Sequence, residues 1–328
     1  MVQGYFFLKL SKSYTSAPYF GRFFFKGCTI LVAGGKKIKG GETSSSSFKM
    51  ELYFTGENVI NEIRLKEMPD MPQPSFGNFK CVCEGRFIFG GGHNDRNTFL
   101  SDVLEFADIQ EWKYLPSLKE ARSYAASCFV RGKFLVVGGG LGDNYNWLDS
   151  IEVLRVEKCD NDLEWTINSK LKMPSVFKSP TFNYLRGKII LAGTRVDDSA
   201  SLVEVWKGTL VSKQQIDWRR IASSGCKRSE HMSVVVKNKI YMFGGTSSEK
   251  DEIEIFDGNK WEKGPKMPFE LSTKNAQSVV DDRGRIIITT NYNGIIVYDT
   301  NNDENYGNVI KQQEDSHQVK LQWYSTFA

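Results

Sequence analysis

The 328-residue sequence predicts an all-β fold built from six similar units of four strands. An apolar run that ends in small residues recurs six times, and its equivalent positions lie 57, 47, 55, 51 and 46 residues apart. A strand of alternating residues follows each run, and a tryptophan follows five of these strands. Self-similarity at a nearly fixed period indicates one structural unit repeated along the chain.

Each unit begins with an apolar segment that we predict to be its first strand. In chain order these segments are YFGRFFF (19–25), FGNFKCVCE (76–84), YAASCFV (124–130), SPTFNYL (179–185), HMSVVV (231–236) and AQSVV (276–280). Short connections such as RG, KN or DRG join them to the next apolar run. That spacing predicts a β-hairpin in each unit.

The second strand of each unit is the apolar run that ends in small residues. The six runs are TILVAGG (29–35), RFIFGGG (86–92), KFLVVGG (133–139), KIILAGT (188–194), KIYMFGG (239–245) and RIIITTN (285–291). The positions taken as equivalent are Gly34, Gly91, Gly138, Gly193, Gly244 and Thr290. Glycine tolerates the backbone angles of a tight turn and adds no side-chain bulk beside the inner strand.

The third and fourth strands complete the unit. The third strands are MELYF (50–54), DVLEF (102–106), SIEVL (150–154), LVEVW (202–206), EIEIF (252–256) and GIIVY (294–298). Their alternation directs one set of side chains to each face of a sheet. The fourth strands carry Trp112, Trp165, Trp218, Trp261 and Trp323, whereas the first unit has EIRLKEMPDMP (62–72) with Ile63 and Leu65.

Six four-stranded sheets with two apolar faces each predict a six-bladed β-propeller, since a radial arrangement lets every sheet cover its neighbours. The predicted blades are 19–70, 75–116, 122–173, 175–222, 228–268 and 272–328, which together form a single domain. YFFLKL (5–10) and VKLQWYSTF (319–327) are further strand-like segments. We expect the extra strand within residues 1–12 to take part in closing the ring.

The order of an apolar run, a glycine pair, an alternating strand, tryptophan and Met-Pro resembles the kelch repeat. The fifth unit is nearest to the family pattern and includes Arg228 and His231 at the start of its first strand. The resemblance covers residues 19–324 and implies a propeller of kelch type, with four antiparallel strands in each blade. It also implies that His231 has a structural role. Such a fold says little about function by itself.

Composition excludes some classes of protein. Lysine and arginine number 43 against 39 acidic residues, and the net charge of +4 is too small and scattered for nucleic-acid binding. No apolar run is long enough to cross a membrane. The six cysteines lack CxxC spacing, and the N-terminus shows no secretory signal, which together predict a cytoplasmic protein.

Residue patterns for chemistry are sparse. The histidines are His93, His231 and His317, and no pair of them has the spacing of zinc ligands. GGGLG (138–142) precedes a strand, although a phosphate site needs a helix N-terminus. DTNNDENYGNVI (299–310) has Glu304 and Ile310 where a calcium loop needs glycine and glutamate. The sequence therefore predicts no catalytic residues, no metal and no cofactor.

The connections between second and third strands are long and emerge on the same face as the connections between blades. Loops on a rigid scaffold concentrate recognition residues, and arginine, tyrosine and tryptophan dominate binding hot spots. The predicted binding residues are Asn94, Asp95, Arg96, Arg122, Tyr124, Asn144, Tyr145, Trp147, Arg195, Asp197 and Arg228. Alternatively, Trp147 covers the edge of its own blade, and Arg122 and Arg228 pair with loop carboxylates.

The leading hypothesis is a non-catalytic interaction or scaffold module that binds a peptide or loop of a protein partner on this face. In kelch-like domains, arginines placed like Arg122 and Arg228 ring the central opening and meet acidic peptide motifs, so the resemblance implies an acidic partner. The alternative is a propeller enzyme that acts on a small polar or sugar-like molecule in the central pocket. That hypothesis requires carboxylates and histidine to cluster, with His93, Asp95 and Asp197 as candidates.

Overall fold

The computed structural model describes a chain of β-strands. The described residues are 2–9, 25–37, 42–55, 59–83, 86–106, 111–156, 163–198, 202–246, 251–267, 276–290, 294–301, 304–311 and 320–323. His317, Cys159 and residues 19–24 of the predicted first strand lie outside them. Within these ranges the helical structure is a single 3-10 turn, Asp143–Tyr145, and no described helix is long and apolar enough to span a bilayer.

The strands form six antiparallel sheets in chain order. The first sheet contains β1 (Val2–Lys9), β2 (Phe25–Lys37), β3 (Ser47–Thr55) and β4 (Val59–Met68). The second contains β5 (Phe79–Cys83), β6 (Arg86–Gly90), β7 (Val103–Phe106) and β8 (Trp112–Leu115). The third contains β9 (Ala126–Val130), β10 (Phe134–Gly138), β11 (Ile151–Arg155) and β12 (Trp165–Thr166). The fourth sheet contains β13 (Phe177–Leu185), β14 (Lys188–Arg195), β15 (Leu202–Ser212) and β16 (Gln215–Lys227). The fifth contains β17 (Met232–Val236), β18 (Lys239–Phe243), β19 (Glu254–Phe256) and β20 (Trp261–Lys263). The sixth contains β21 (Ala276–Val280), β22 (Arg285–Thr290), β23 (Gly294–Asp299), β24 (Glu304–Lys311) and β25 (Lys320–Trp323).

The six sheets close into a ring around the axis of the molecule. The first strand of each sheet lies beside the first strand of the next, and β21 of the last sheet lies beside β1 of the first. Every sheet is formed by one continuous stretch of chain. Ring closure therefore depends on packing between sheets, because no sheet combines strands from both ends of the described chain.

Apolar side chains fill each interface between neighbouring blades. Six buried clusters lie between successive sheets, and one of them joins the last blade to the first. In that closing cluster Ile287 and Val297 pack with Ile30 and Leu52, all fully buried. Burial of one such side chain contributes ~1.5–3 kcal/mol. The alternating strands thus place apolar side chains on both faces of each sheet, as their pattern predicts.

Tryptophans of the fourth strands link neighbouring blades. The indole N–H groups of Trp112, Trp165 and Trp218 donate to the carbonyl oxygens of Pro69, Pro116 and Lys172, at 2.9, 2.7 and 2.8 Å. Each acceptor belongs to the segment that leaves the preceding sheet. In the second, third and fourth blades the tryptophan of the fourth strand therefore makes the same hydrogen bond to the preceding blade, whereas Nε1 of Trp261 in the fifth blade is buried without such a partner among the described residues.

The first and last blades differ from the prediction. β1 pairs with β2, so the segment at residues 2–9 supplies the first strand of the first blade, in place of residues 19–25. In the last blade β24 is the fourth strand and Trp323 lies on β25, a fifth strand added outside it. In the first blade two apolar segments compete for one position and the shorter connection was preferred, whereas in the last blade the tryptophan was taken as the marker of the fourth strand.

The glycine equivalence is also shifted in the third blade. Gly91 has φ 63° and its N–H donates to the carbonyl of Asp102 at 2.9 Å. Gly139 has φ 65° and donates to Ser150 at 3.0 Å, so Gly139 and not Gly138 is the equivalent residue. The run of three glycines there hid the register.

Candidate functional site

The loop face comprises the second-to-third-strand loops and the connections that lead into the next blade. Backbone bridges join the two kinds of segment, as between Phe76 and His93 and between Ser123 and Leu141. The N–H of Gly92 also donates to the carbonyl of Arg122 at 2.8 Å. These bonds fix the base of the loops on the propeller.

Arg122 lies inside the protein, with its side chain 0% exposed. Its guanidinium donates to the carbonyl oxygens of Gly139 and Ser150, each at 3.0 Å, and to the carboxylate of Glu152 at 3.0 Å. Burial lowers the pKa of Arg122, whereas the Glu152 and Glu120 carboxylates act in the opposite direction. Arg122 therefore links the segment that leads into the third blade to β11, the third strand of that blade.

Arg228 occupies the corresponding place in the fifth blade and is also fully buried. It donates to the carbonyls of Gly244 at 3.2 Å and Glu252 at 3.1 Å, and it forms an ion pair with Glu254 at 3.4 Å. Neither arginine is available to a ligand on the surface. Both arginines pair with carboxylates, as the alternative prediction states, but Glu152 and Glu254 lie on the third strands β11 and β19, and only Glu120, 3.0 Å from Arg122, lies in a loop. The acidic-peptide prediction loses the residues on which it rested.

The loop of the second blade is held to the first blade. The carboxylate of Asp95 accepts bonds from the backbone N–H of Thr43 at 2.8 and 2.9 Å and from its hydroxyl at 3.0 Å. Asn94 accepts bonds from the N–H groups of Arg96 and Thr98 at 3.0 and 3.1 Å, which shapes the turn. Asp95 and Arg96 are both exposed, but the Asp95 carboxylate is already engaged by Thr43.

His93 and Tyr124 belong to a cluster of rings on the loop face. The His93 ring lies 5.0 Å from Phe76, 5.9 Å from Phe99 and 5.7 Å from Tyr124. Its Nδ1 is hydrogen-bonded to the Ser123 hydroxyl at 3.0 Å. Burial raises the pKa of Tyr124 to about 12, with a smaller contribution from Glu230. This cluster stiffens the face between the second and third blades.

A cleft of about 420 Å³ opens between the third and fourth blades. It is lined by Tyr145, Asn146, Trp147, Ser175, Val176, Val196 and Asp197. The Tyr145 ring packs edge-on against Phe99 at 5.5 Å, which connects the cleft to the ring cluster. Asn144 and Tyr145 have φ angles of 56° and 57°, so the 3-10 turn presents their side chains from a strained backbone.

Arg195 and Asp197 form an exposed ion pair at the edge of this cleft. Nε and Nη2 of Arg195 donate to the two carboxylate oxygens of Asp197 at 2.9 and 2.5 Å. The hydrogen bonds from Arg195 lower the pKa of Asp197, and the same contact raises the pKa of Arg195. An exposed pair of this kind adds little to stability, but it gives the rim a defined shape.

The predicted binding residues thus fall into separate environments. Tyr145, Trp147 and Asp197 line one cleft, with Asn144 and Arg195 beside it, whereas Arg122 and Arg228 are interior. Sequence reasoning missed Val176 and Val196, whose small apolar side chains gave no distinctive signal. Phe99 could have been noticed as an apolar residue within a polar loop.

The residues named for the enzyme hypothesis have different partners. His93 contacts Ser123, Asp95 holds Thr43, and Asp197 holds Arg195. Within the described ranges, no group of three His, Cys, Asp or Glu side chains is placed to hold a metal. His231 is buried, with its Nε2 3.2 Å from the Thr181 hydroxyl, and burial followed by Arg228 lowers its pKa to about 3.

Six radially packed sheets define the chain as a six-bladed β-propeller. The family model of the Kelch motif matches residues 227–268 of the chain. The chain is 29% identical over 125 residues to F-box/kelch-repeat protein At1g15670 of Arabidopsis thaliana, a match that covers 37% of this chain and 33% of the relative. The match therefore spans about a third of that relative's length.

A solved structure described as "Structure of YjhT" supports the fold independently. It aligns with a TM-score of 0.60 and covers 90% of this chain and 94% of the other. Sequence identity is 11%, so the likeness concerns the fold alone. The likeness agrees with the propeller fold formed by the six sheets.

Proposed function

We propose that the chain is a non-catalytic interaction module that binds a protein partner on its loop face, at the cleft between the third and fourth blades. Kelch-type propellers are commonly protein-interaction modules. The cleft contains three of the residues that the sequence predicts for binding, namely Tyr145, Trp147 and Asp197.

The observation that carries the proposal is exposed apolar surface gathered around one concavity. Tyr145 is 58% exposed and Val196 36% exposed, and both line the cleft beside the half-buried Trp147. Aromatic residues that can be desolvated in a pocket supply most of the energy of protein interfaces. Isolated exposed apolar residues need no explanation, but a group of them within a cleft favours recognition.

The packing beneath the cleft supports the same proposal. Tyr145 rests on Phe99 of the neighbouring blade, and the backbone of Trp147 pairs with Leu141. A partner would therefore meet side chains already held in place, so that little ordering entropy is lost on binding.

Affinity capture from lysate tests the proposal. The double variant Tyr145→Ala/Trp147→Ala is expected to retain less than about a tenth of the partner, since each hot-spot aromatic contributes ~2 kcal/mol or more. Tyr114→Ala is the matched control, because Tyr114 is 59% exposed but lies on the outer strand β8. Equal capture by the wild type and a folded double variant would refute the proposed site.

A further inference from the structure

We propose that this cleft receives a cationic side chain, an arginine or a lysine, presented by an extended segment of the partner protein. The inference rests on the proposed interaction function and adds the chemistry of the occupant. It depends on the charges of the two loops that border the cleft and on the aromatic surfaces inside it.

The loops around the cleft carry an excess of negative charge. Residues 140–149 and 194–198 contain four aspartates, Asp143, Asp149, Asp197 and Asp198, and one basic residue, Arg195. Arg195 is held by Asp197, and Lys172 pairs with Asp149 at 3.2 Å. With Arg195, Lys172 and also Lys178, which lies two residues after the lining residue Val176, counted against the four aspartates, the rim still keeps a net negative charge.

Asp143 is the carboxylate best placed to meet a ligand. It is exposed, and no ion pair or hydrogen bond of its carboxylate is found in the described part of the chain. It belongs to the same 3-10 turn as Tyr145, which lines the cleft. An incoming cation would approach this carboxylate without first breaking an existing pair.

The interior of the cleft suits a cation with apolar carbon atoms. Tyr145 and Trp147 present ring surfaces, which attract guanidinium or ammonium groups through their quadrupoles. Val176 and Val196 offer apolar contact for the aliphatic stem of the same side chain. Aromatic rings with a nearby carboxylate therefore match both parts of an arginine or lysine.

An acidic partner segment would fit this cleft poorly. The two arginines that the sequence offered for such a partner, Arg122 and Arg228, are buried and already bonded. An acidic side chain entering the cleft would meet the like charges of Asp143 and Asp197, and such juxtapositions reduce affinity. The charges therefore favour a basic occupant.

Nuclear magnetic resonance of the tryptophan indole N–H groups provides a direct test. The chain has seven tryptophans, and Trp147→Phe assigns the signal of Trp147. Three glycine–serine peptides that differ only in a central arginine, glutamine or glutamate serve as probes. We expect the arginine peptide to shift the Trp147 signal saturably and to bind about tenfold more tightly than the glutamine peptide.

Charge variants separate the contribution of the rim from general effects of charge. Asp143→Asn is expected to weaken binding of the arginine peptide several-fold, and added salt should weaken it further. Asp217→Asn is the matched control, because Asp217 is an exposed aspartate on the outer strand β16, and it should leave the affinity unchanged. Equal effects of both variants would contradict the inference.

The outcomes also distinguish this inference from the proposed function. If the Tyr145/Trp147 variant loses its partner but the arginine peptide leaves Trp147 unaffected, the interaction function stands and the cationic occupant is wrong. Preferred binding of the glutamate peptide would likewise overturn it. If that variant still captures its partners, the proposed function fails, and this inference fails with it.

Discussion

Arg122→Met is expected to lower the free energy of unfolding by about 3–5 kcal/mol, because it leaves a buried carboxylate without its counterion. The side chains of Arg122 and Glu152 are both 0% exposed and lie 3.0 Å apart. The substitution also removes the donors that satisfy the carbonyls of Gly139 and Ser150. Urea denaturation followed by tryptophan fluorescence measures the change.

Two variants make this result interpretable. Arg219→Ala removes an exposed arginine from β16 and should change stability by no more than about 0.5 kcal/mol. Adding Glu152→Met to Arg122→Met should recover part of the loss, since replacing both members of a buried pair by apolar residues is far less costly than removing one. If Arg122→Met alone is as stable as the wild type, Arg122 does not stabilise the blade.

Gly91→Ala is expected to cost about 4 kcal/mol or more, a loss typical of a severe steric conflict. Gly91 has φ 63°, and a Cβ atom there would lie 2.3 Å from the carbonyl oxygen of Arg122. That oxygen is backbone and already accepts from the N–H of Gly92 at 2.8 Å, so it cannot move without disturbing the loop. The stability of the purified variant, measured in urea, checks the expectation.

Gly132→Ala is the matched control for this prediction. Gly132 has nearly the same backbone angle, φ 64°, but a Cβ atom at that turn would meet nothing within 4 Å. The cost there should be limited to the left-handed backbone, about 1–2 kcal/mol. If both variants lose the same free energy of unfolding, the left-handed backbone alone accounts for glycine at position 91. The nearby carbonyl oxygen of Arg122 would then make no contribution.

Most of the fold was predictable because strand patterns are local. The second and third strands of all six blades lie where alternation and apolar runs predict them, as with β10 and β11. The first strand of the first blade was not predictable, because Val2–Lys9 and the segment at 19–25 are both apolar. Only pairing with the second strand distinguishes between them. Trp323 was misplaced for a different reason, because a repeated residue type does not specify which strand bears it.

The candidate site was predictable to a smaller extent. Loop position and residue type drew attention to Tyr145 and Trp147, which share one cleft. The same reasoning was wrong for the exposure of Arg122 and Arg228, because sequence position does not reveal whether a partner carboxylate lies within the interior. Glu152 and Glu254, placed on the third strands of those blades, were the available signal.

Hydrogen–deuterium exchange on the complex with a captured partner tests the central claim most directly. Binding at the cleft should slow amide exchange in the loops at 141–148 and 194–198, which border the cleft. Exchange at the outer strands β8 and β16, and in the opposite-face turns at 131–133 and 186–187, should be unchanged. Protection confined to the outer strands or to those turns would contradict binding at the loop face.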